Sequence, residues 1–353
     1  MIKGHRSEII RNSITLMGVI AFGAIILTHP QIASAGIKKG LLLLYDSLIP
    51  ALFPFMIVSC YIARSPVTDR ISIMANKLTY RCLHINAYHT LAFTLGCLGG
   101  YPVGAKTITE FRRQGFITLT DSHRLFCCCV NPGASFVITA VGSFMLGSTI
   151  SGIIIYASCI ASSLVLGAFS SLLFKSSEEA SPRKETDTRH DNVFIKSVSS
   201  GVESMLGICG WVILCSALCE LSAQLISNDG ARLFINAVAE VSSGCKSTIE
   251  AGLSLPVLCA VISFGGLAVA AQISPDLADS GIKLKTYICW RVAGSAISAL
   301  FCSGLTKIFP QSIAVSTTLT PVHTLTRGIP TALVMVFMCI VLIFEVDNKR
   351  KVW

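Results

Sequence analysis

Two short segments place a lysine just after a small-residue turn. One reads Gly99-Gly100-Tyr101-Pro102-Val103-Gly104-Ala105-Lys106, the other Val241-Ser242-Ser243-Gly244-Cys245-Lys246. Glycine permits tight turning and proline ends an incoming helix. The spacing predicts a helix over 105–111 whose first N–H groups point at the tip. Those groups and the Lys106 charge together make an anion site. The second segment offers its N–H groups and Lys246 in the same way. Two lysines facing one cavity from opposite sides suit a dicarboxylate. The candidate contacts are Gly100, Tyr101, Gly104, Lys106 and Ser135, with Ser242, Ser243, Gly244 and Lys246. A plainer arrangement uses the same spacing: Lys106 and Glu110, and Lys246 and Glu250, are i,i+4 neighbours that neutralise each other on one helix face.

Two further segments break apolar runs. Asn131-Pro132-Gly133-Ala134-Ser135 is one, and Ser263-Phe264-Gly265-Gly266, followed by Gln272, is the other. Backbone carbonyls freed at such breaks can bind a coupling cation, or the break can be a kink filled by a neighbouring helix. Asp46 and Glu203 lie in long apolar helices. Each is a candidate proton carrier, since burial raises a carboxylate pKa; each equally suits an interface or a hydrogen bond to a neighbouring helix. Arg291, near the start of a span, reads as a snorkelling or loop-pairing arginine. No cofactor is called for beyond a coupling Na+ or H+. The histidines have no metal-ligand spacing, and no GxxxxGK[ST] phosphate loop occurs. No nucleophile has a base at sensible spacing, so an enzyme is not expected. Most of the 15 cysteines sit in apolar runs, where they act as small packing residues.

The elements that must hold these residues are membrane spans. Of 353 residues, 52% are hydrophobic and 13% charged, about half the charge of a soluble domain. That excludes an ordinary soluble protein and a disordered one. The net charge of +9 belongs to cytoplasmic loops rather than to nucleic-acid binding. Apolar stretches predict about eight spans: 13–28, 36–63, 134–146, 150–174, 193–218, 256–272, 287–308 and 330–344. With the N-terminus cytoplasmic, 19 of the 28 Lys and Arg fall on the cytoplasmic side and five on the other. Both termini are then cytoplasmic in a multi-pass cell-membrane protein. A basic start and Ala33-Ser34-Ala35 also allow a cleaved signal peptide; an uncleaved anchor is preferred.

Residues 175–192 read KSSEEASPRKETDTRHDN, a polar cytoplasmic linker. They divide the chain into an anchor (1–35), a first repeat (36–174), a second repeat (193–308) and a terminal region with the last span (309–353). Three motif pairs recur in order: Asp46-Ser47-Leu48-Ile49 with Glu203-Ser204-Met205-Leu206, Gly104–Thr107 with Gly244–Ser247, and Pro132-Gly133 with Gly265-Gly266. Three crossings and one re-entrant hairpin per unit predict an all-α fold of two inverted repeats, as in secondary transporters.

Four motifs carry a resemblance: GGYPVGAK (99–106), FCCCVNPGASFVITAVGSFMLGS (126–148), EVSSGCK (240–246) and SFGGLAVAAQ (263–272). Together, over roughly 36–345, they resemble the YlbJ-like sporulation integral membrane proteins, a family described with nucleoside-recognition, or Gate, domains. Its architecture is similar to the ion-transporter superfamily of anion and dicarboxylate carriers. The resemblance implies a membrane protein of spore formation that passes a small organic anion such as dipicolinate. Val130 before Asn131, and Ala268 after Gly-Gly-Leu, depart from the polar residues expected there and would each remove a cation ligand. The alternatives are a non-transporting scaffold or signalling protein of the spore envelope and a nucleoside carrier. The implied partners are the lipid bilayer, a second copy or other sporulation membrane proteins, and no nucleic acid.

Overall fold

A computed structural model describes residues 23–65, 87–174 and 193–309, with isolated positions between 13 and 20. Among the described residues there are helices and no strand. Five segments are long and apolar enough to cross a bilayer: Pro30–Arg64, Thr149–Leu173, Val193–Ala223, Leu255–Gln272 and Leu284–Ile308. The chain is therefore an all-α, multi-pass membrane protein. Eight separate spans are not seen among the described residues. The expected span 134–146 is an 11-residue π-helix, Ser135–Met145, too short to cross alone. The expected span 330–344 and most of 13–28 lie outside the described residues, as do the linker 175–192 and the C-terminal tail.

In the first half, α1 (Pro30–Leu43) runs through a π-turn (Leu44–Leu48) into α2 (Ile49–Arg64). Pro50 has no N–H to give the carbonyl one turn back, and the turn ahead of it widens. Next, α3 (Ala87–Gly99) and α4 (Tyr101–Arg113) form a hairpin hinged at Gly100, whose φ is +87°. Only glycine adopts that backbone cheaply. Then α5 (Leu119–Cys128), an irregular stretch and the π-helix make a broken unit, followed by α6 (Thr149–Leu173). Thr118 and Asp121 form a capping box that starts α5, the reciprocal pairing that fixes a helix N-terminus.

The second half repeats that order. α7 (Val193–Leu225) is the long helix, α8 (Asp229–Ala239) and α9 (Val241–Glu250) are the hairpin, and α10 (Leu255–Phe264) and α11 (Gly266–Gln272) are the broken helix. A short α12 (Ser274–Asp279) leads to the long α13 (Leu284–Ile308).

Small residues bring the long helices together, as expected where lipid gives apolar side chains no reason to associate. Gly36 and Gly40 of α1 lie against Ser216 and Ala217 of α7, so closely that a Cβ on Gly36 would sit 2.7 Å from the Ala217 Cα. Lys39 and Glu220 close the same contact at 2.6 Å. Serines bridge the other long helices: Ser162 donates to the Gly294 carbonyl and Ser295 to the Ala260 carbonyl, each at 2.8 Å. The thirteen described cysteines are unbridged, and ten of them are buried.

Candidate functional site

Each hairpin tip rests on the break of its own half. At the first, a Cβ on Gly133 would lie 3.1 Å from the Gly100 nitrogen, so the backbones touch. Gly96 and Gly104, on the two hairpin arms, both abut the Cys129 carbonyl. A Cβ would come within 2.0 Å of it from Gly96 and 2.5 Å from Gly104. At the second, Gly266, with φ +82°, lies against Ala239 and Glu240, and a Cβ there would sit 3.0 Å from the Glu240 Cα. Both contacts depend on the missing side chain.

The two tips meet one central cavity of about 60 Å³. Gly100, Tyr101 and Gly133 line it from the first half. Trp211, Glu240, Ser242 and Gln272 line it from the second, with Met56 and Phe136 among the apolar walls. The α4 N-terminus, at Gly100, has no side-chain cap. The α9 N-terminus is filled by the chain itself: the Glu240 carboxylate accepts hydrogen bonds from the Ser242 and Ser243 N–H groups at 2.8 and 2.7 Å. Glu240 is 3% exposed. One half therefore carries a built-in anion where the other leaves the helix end open.

Four carbonyls at the breaks are occupied by side-chain donors. Tyr101 donates its hydroxyl to the Ile262 carbonyl, joining the first tip to the second broken helix. The Asn131 amide donates to the Cys128 carbonyl at 2.6 Å and accepts from Ser163 at 2.6 Å. Arg291 on α13 donates from Nη1 to the Val130 carbonyl at 2.7 Å and from Nε to the Phe264 carbonyl at 3.4 Å. Its guanidinium carbon lies 5.3 Å from the Tyr101 ring centre, within cation–π range. Arg291 is thus a buried link between the two breaks, and the snorkelling expectation is corrected. Its own partners draw it inward, away from any interface.

The two lysines do not share a cavity. Lys106 Nζ lies 2.8 Å from Ser204 Oγ and 3.6 Å from Glu203 Oε2. It lines a separate polar cavity of about 230 Å³ with Arg64, Glu110, Arg113, Glu203 and Asp276. Lys246 lies 4.0 Å from Glu250 on the same helix face, the i,i+4 arrangement, whereas Glu110 instead accepts from Gln114 at 2.6 Å. Each lysine stands four to five residues after the first-turn residues that line the central cavity, which moves it roughly 6–7.5 Å along the helix axis from them.

Asp46 is exposed on the π-turn, and the Glu203 side chain is 80% exposed. Ser135 is buried, its hydroxyl without a partner; Ser263 is buried beside Gly294. Gln272 donates to the Ser204 carbonyl at 3.3 Å, on the same α7 turn that holds Lys106. Gly244 packs on Ala237 and joins the arms of the second hairpin.

Outside the spans, Asp276 faces the polar cavity, and burial raises its carboxyl despite the Thr109 hydrogen bond and Lys106. Asp121 behaves oppositely. Burial works against its charge, yet His89, at 3.1 Å, and the Thr118 bonds hold it down at about 2.

Glu240 and Trp211 were not singled out by sequence reasoning. The signal for Glu240 was present: the spacing that pairs Gly104 with Gly244 pairs Gly100 with Glu240. Trp211 sits in the apolar stretch 205–215 of α7 and carries no such mark.

The comparisons extend the motif resemblance. The chain is 22% identical over 328 residues, 80% of its length and 80% of the relative's, to the sporulation integral membrane protein YlbJ of Bacillus subtilis (strain 168). No family model matches the chain. No solved structure matches it either.

Proposed function

We propose that this YlbJ-like membrane protein is a permease for a small organic anion, with the central cavity as its transport site. The observation that carries the reading is the convergence of two hairpin tips, each seated on its own helix break, on a single cavity. Irregular backbone at membrane depth is tolerated only where protein or a water-filled cavity surrounds it, and carriers place substrate at such a junction. The recurring element order supports two halves of opposite orientation that rock about this cavity in alternating access.

The lining favours a planar substrate. Tyr101, Trp211 and Phe136 offer aromatic faces, and the uncapped end of α4 offers N–H groups for a carboxylate. An aromatic dicarboxylate such as dipicolinate meets both demands, and the relative's name places that protein in sporulation. At about 60 Å³ the cavity is below the ~300–1,000 Å³ usual for a ligand pocket, so this conformation is read as closed. The charge bias favours an orientation with both termini in the cytoplasm.

The test is melting of the purified full chain in detergent with dipicolinate, citrate, succinate, uridine or phosphate. A dicarboxylate should stabilise, and Trp211→Ala should abolish the effect. Stabilisation by uridine alone would turn the reading toward a nucleoside carrier. A flat panel, with no uptake into proteoliposomes, would favour the scaffold.

A further inference from the structure

Two full charges are buried where the breaks meet the central cavity: Glu240, capping α9, and Arg291. Arg291 is 4% exposed, and among the described residues no carboxylate lies within ion-pair distance of it. Its Nη2 is buried and has no hydrogen-bond partner. A buried guanidinium without a counter-charge is costly unless dipoles solvate it. Here the dipoles are the Val130 carbonyl at the first break, the Phe264 carbonyl at the second, and the Tyr101 ring.

These carbonyls are the ligands a dissociable coupling cation would use. Two further carbonyls at the breaks are also taken: Cys128 by Asn131, and Ile262 by Tyr101. A hard cation needs several oxygens, and the neighbouring guanidinium would repel it. The residues present do not fit a sodium site.

We propose that Arg291 is the permanent cation of this fold, bridging both helix breaks in place of an alkali ion, so that the protein works without sodium. The planar fork of arginine suits the role, because it donates in two directions at once. A lysine offers one compact, more strongly hydrated ammonium in place of the fork. The structural part of the inference stands alone; its consequence for transport rests on the permease reading.

The experiment compares melting of the full chain in sodium chloride and in choline chloride at equal ionic strength. The wild type should melt within about 1 °C in the two salts. Arg291→Ala should lose roughly 5–10 °C. Low-millimolar guanidinium or sodium, refilling the emptied carbonyls, should restore part of that loss. Arg291→Lys should fall between the two proteins. Selective stabilisation of the wild type by sodium would overturn the proposal, and so would an Arg291→Ala protein that melts like the wild type. If Arg291→Ala does not fold, the wild-type salt comparison and Arg291→Lys still decide. Uptake into proteoliposomes should be equal in both salts. Absence of uptake in either would count against the permease reading alone, since melting judges Arg291 separately.

Discussion

Replacing Glu240 by Gln keeps the side chain's size and removes its charge. In the wild type the carboxylate receives two backbone N–H bonds, at 2.8 and 2.7 Å, at the first turn of α9. Hydrogen bonds to a charged group are each worth about 1.5–3 kcal/mol, and a neutral one about 0.5–1.5 kcal/mol. The amide keeps one neutral bond and turns its NH2 toward the other N–H. It also gives up the attraction between a negative charge and the helix N-terminus. The net loss is about 2–4 kcal/mol, or roughly 3–5 °C of melting temperature for a chain of this length. The second consequence has the opposite sign. Glu240 lines the central cavity, and a substrate carboxylate bound ~6 Å away would be relieved of about 2–3 kcal/mol of repulsion at an effective dielectric near 20. Dicarboxylate affinity should rise roughly 30- to 150-fold. The assay is thermal melting with and without dipicolinate, with the dissociation constant read from the concentration dependence of the shift. A less stable protein that binds an anion more tightly is the expected pair of results. An unchanged melting temperature would refute the capping argument. Weaker anion binding by a folded protein would refute the placement of the anion in this cavity.

Tyr101→Phe should lower stability by about 1–3 kcal/mol, because the buried Ile262 carbonyl loses its donor while the ring on Arg291 remains; urea or thermal unfolding checks it. Gly104→Ala places a Cβ 2.5 Å from the Cys129 carbonyl and should cost about 1–3 kcal/mol by overpacking, whereas Gly147→Ala, with open space around it but φ +64°, should cost only about 1 kcal/mol of backbone strain. Asp121 is held at about 2 against an ordinary 3.8. It therefore contributes about 2 kcal/mol that is fully present above roughly pH 4 and is lost as the pH falls toward 2; melting curves of Asp121→Asn should lack that acid-dependent loss. Lys246→Ala should leave anion binding unchanged, its ion pair with Glu250 being exposed, and loss of binding in that variant would restore the lysine to the site.

The hairpin turns and both helix breaks were legible in the chain because they depend on local backbone chemistry. Gly99-Gly100 followed by Pro102 and the Gly265-Gly266 pair each mark a place where a helix must stop. The residue roles were less legible. Lys106 and Lys246 stand in matching positions near the tips and have the chemistry of anion ligands, yet neither lines the central cavity. Arg291 looked peripheral because it stands near the start of a span. Its partners, Val130 and Phe264, lie 161 and 27 residues away, and they are backbone carbonyls that leave no mark on side-chain pattern.

Composition, apolar runs and small-residue breaks alone determined that the chain is a helical membrane protein with two interrupted units. Those properties follow from the energy of placing each short segment in lipid. Only the tertiary structure decided which charges are buried, which helix end stays open and what fills the freed carbonyls. A charge several residues from a helix start can point to any side of the helix. Whether it meets substrate, a neighbouring carboxylate or a broken backbone depends on how distant helices pack around it.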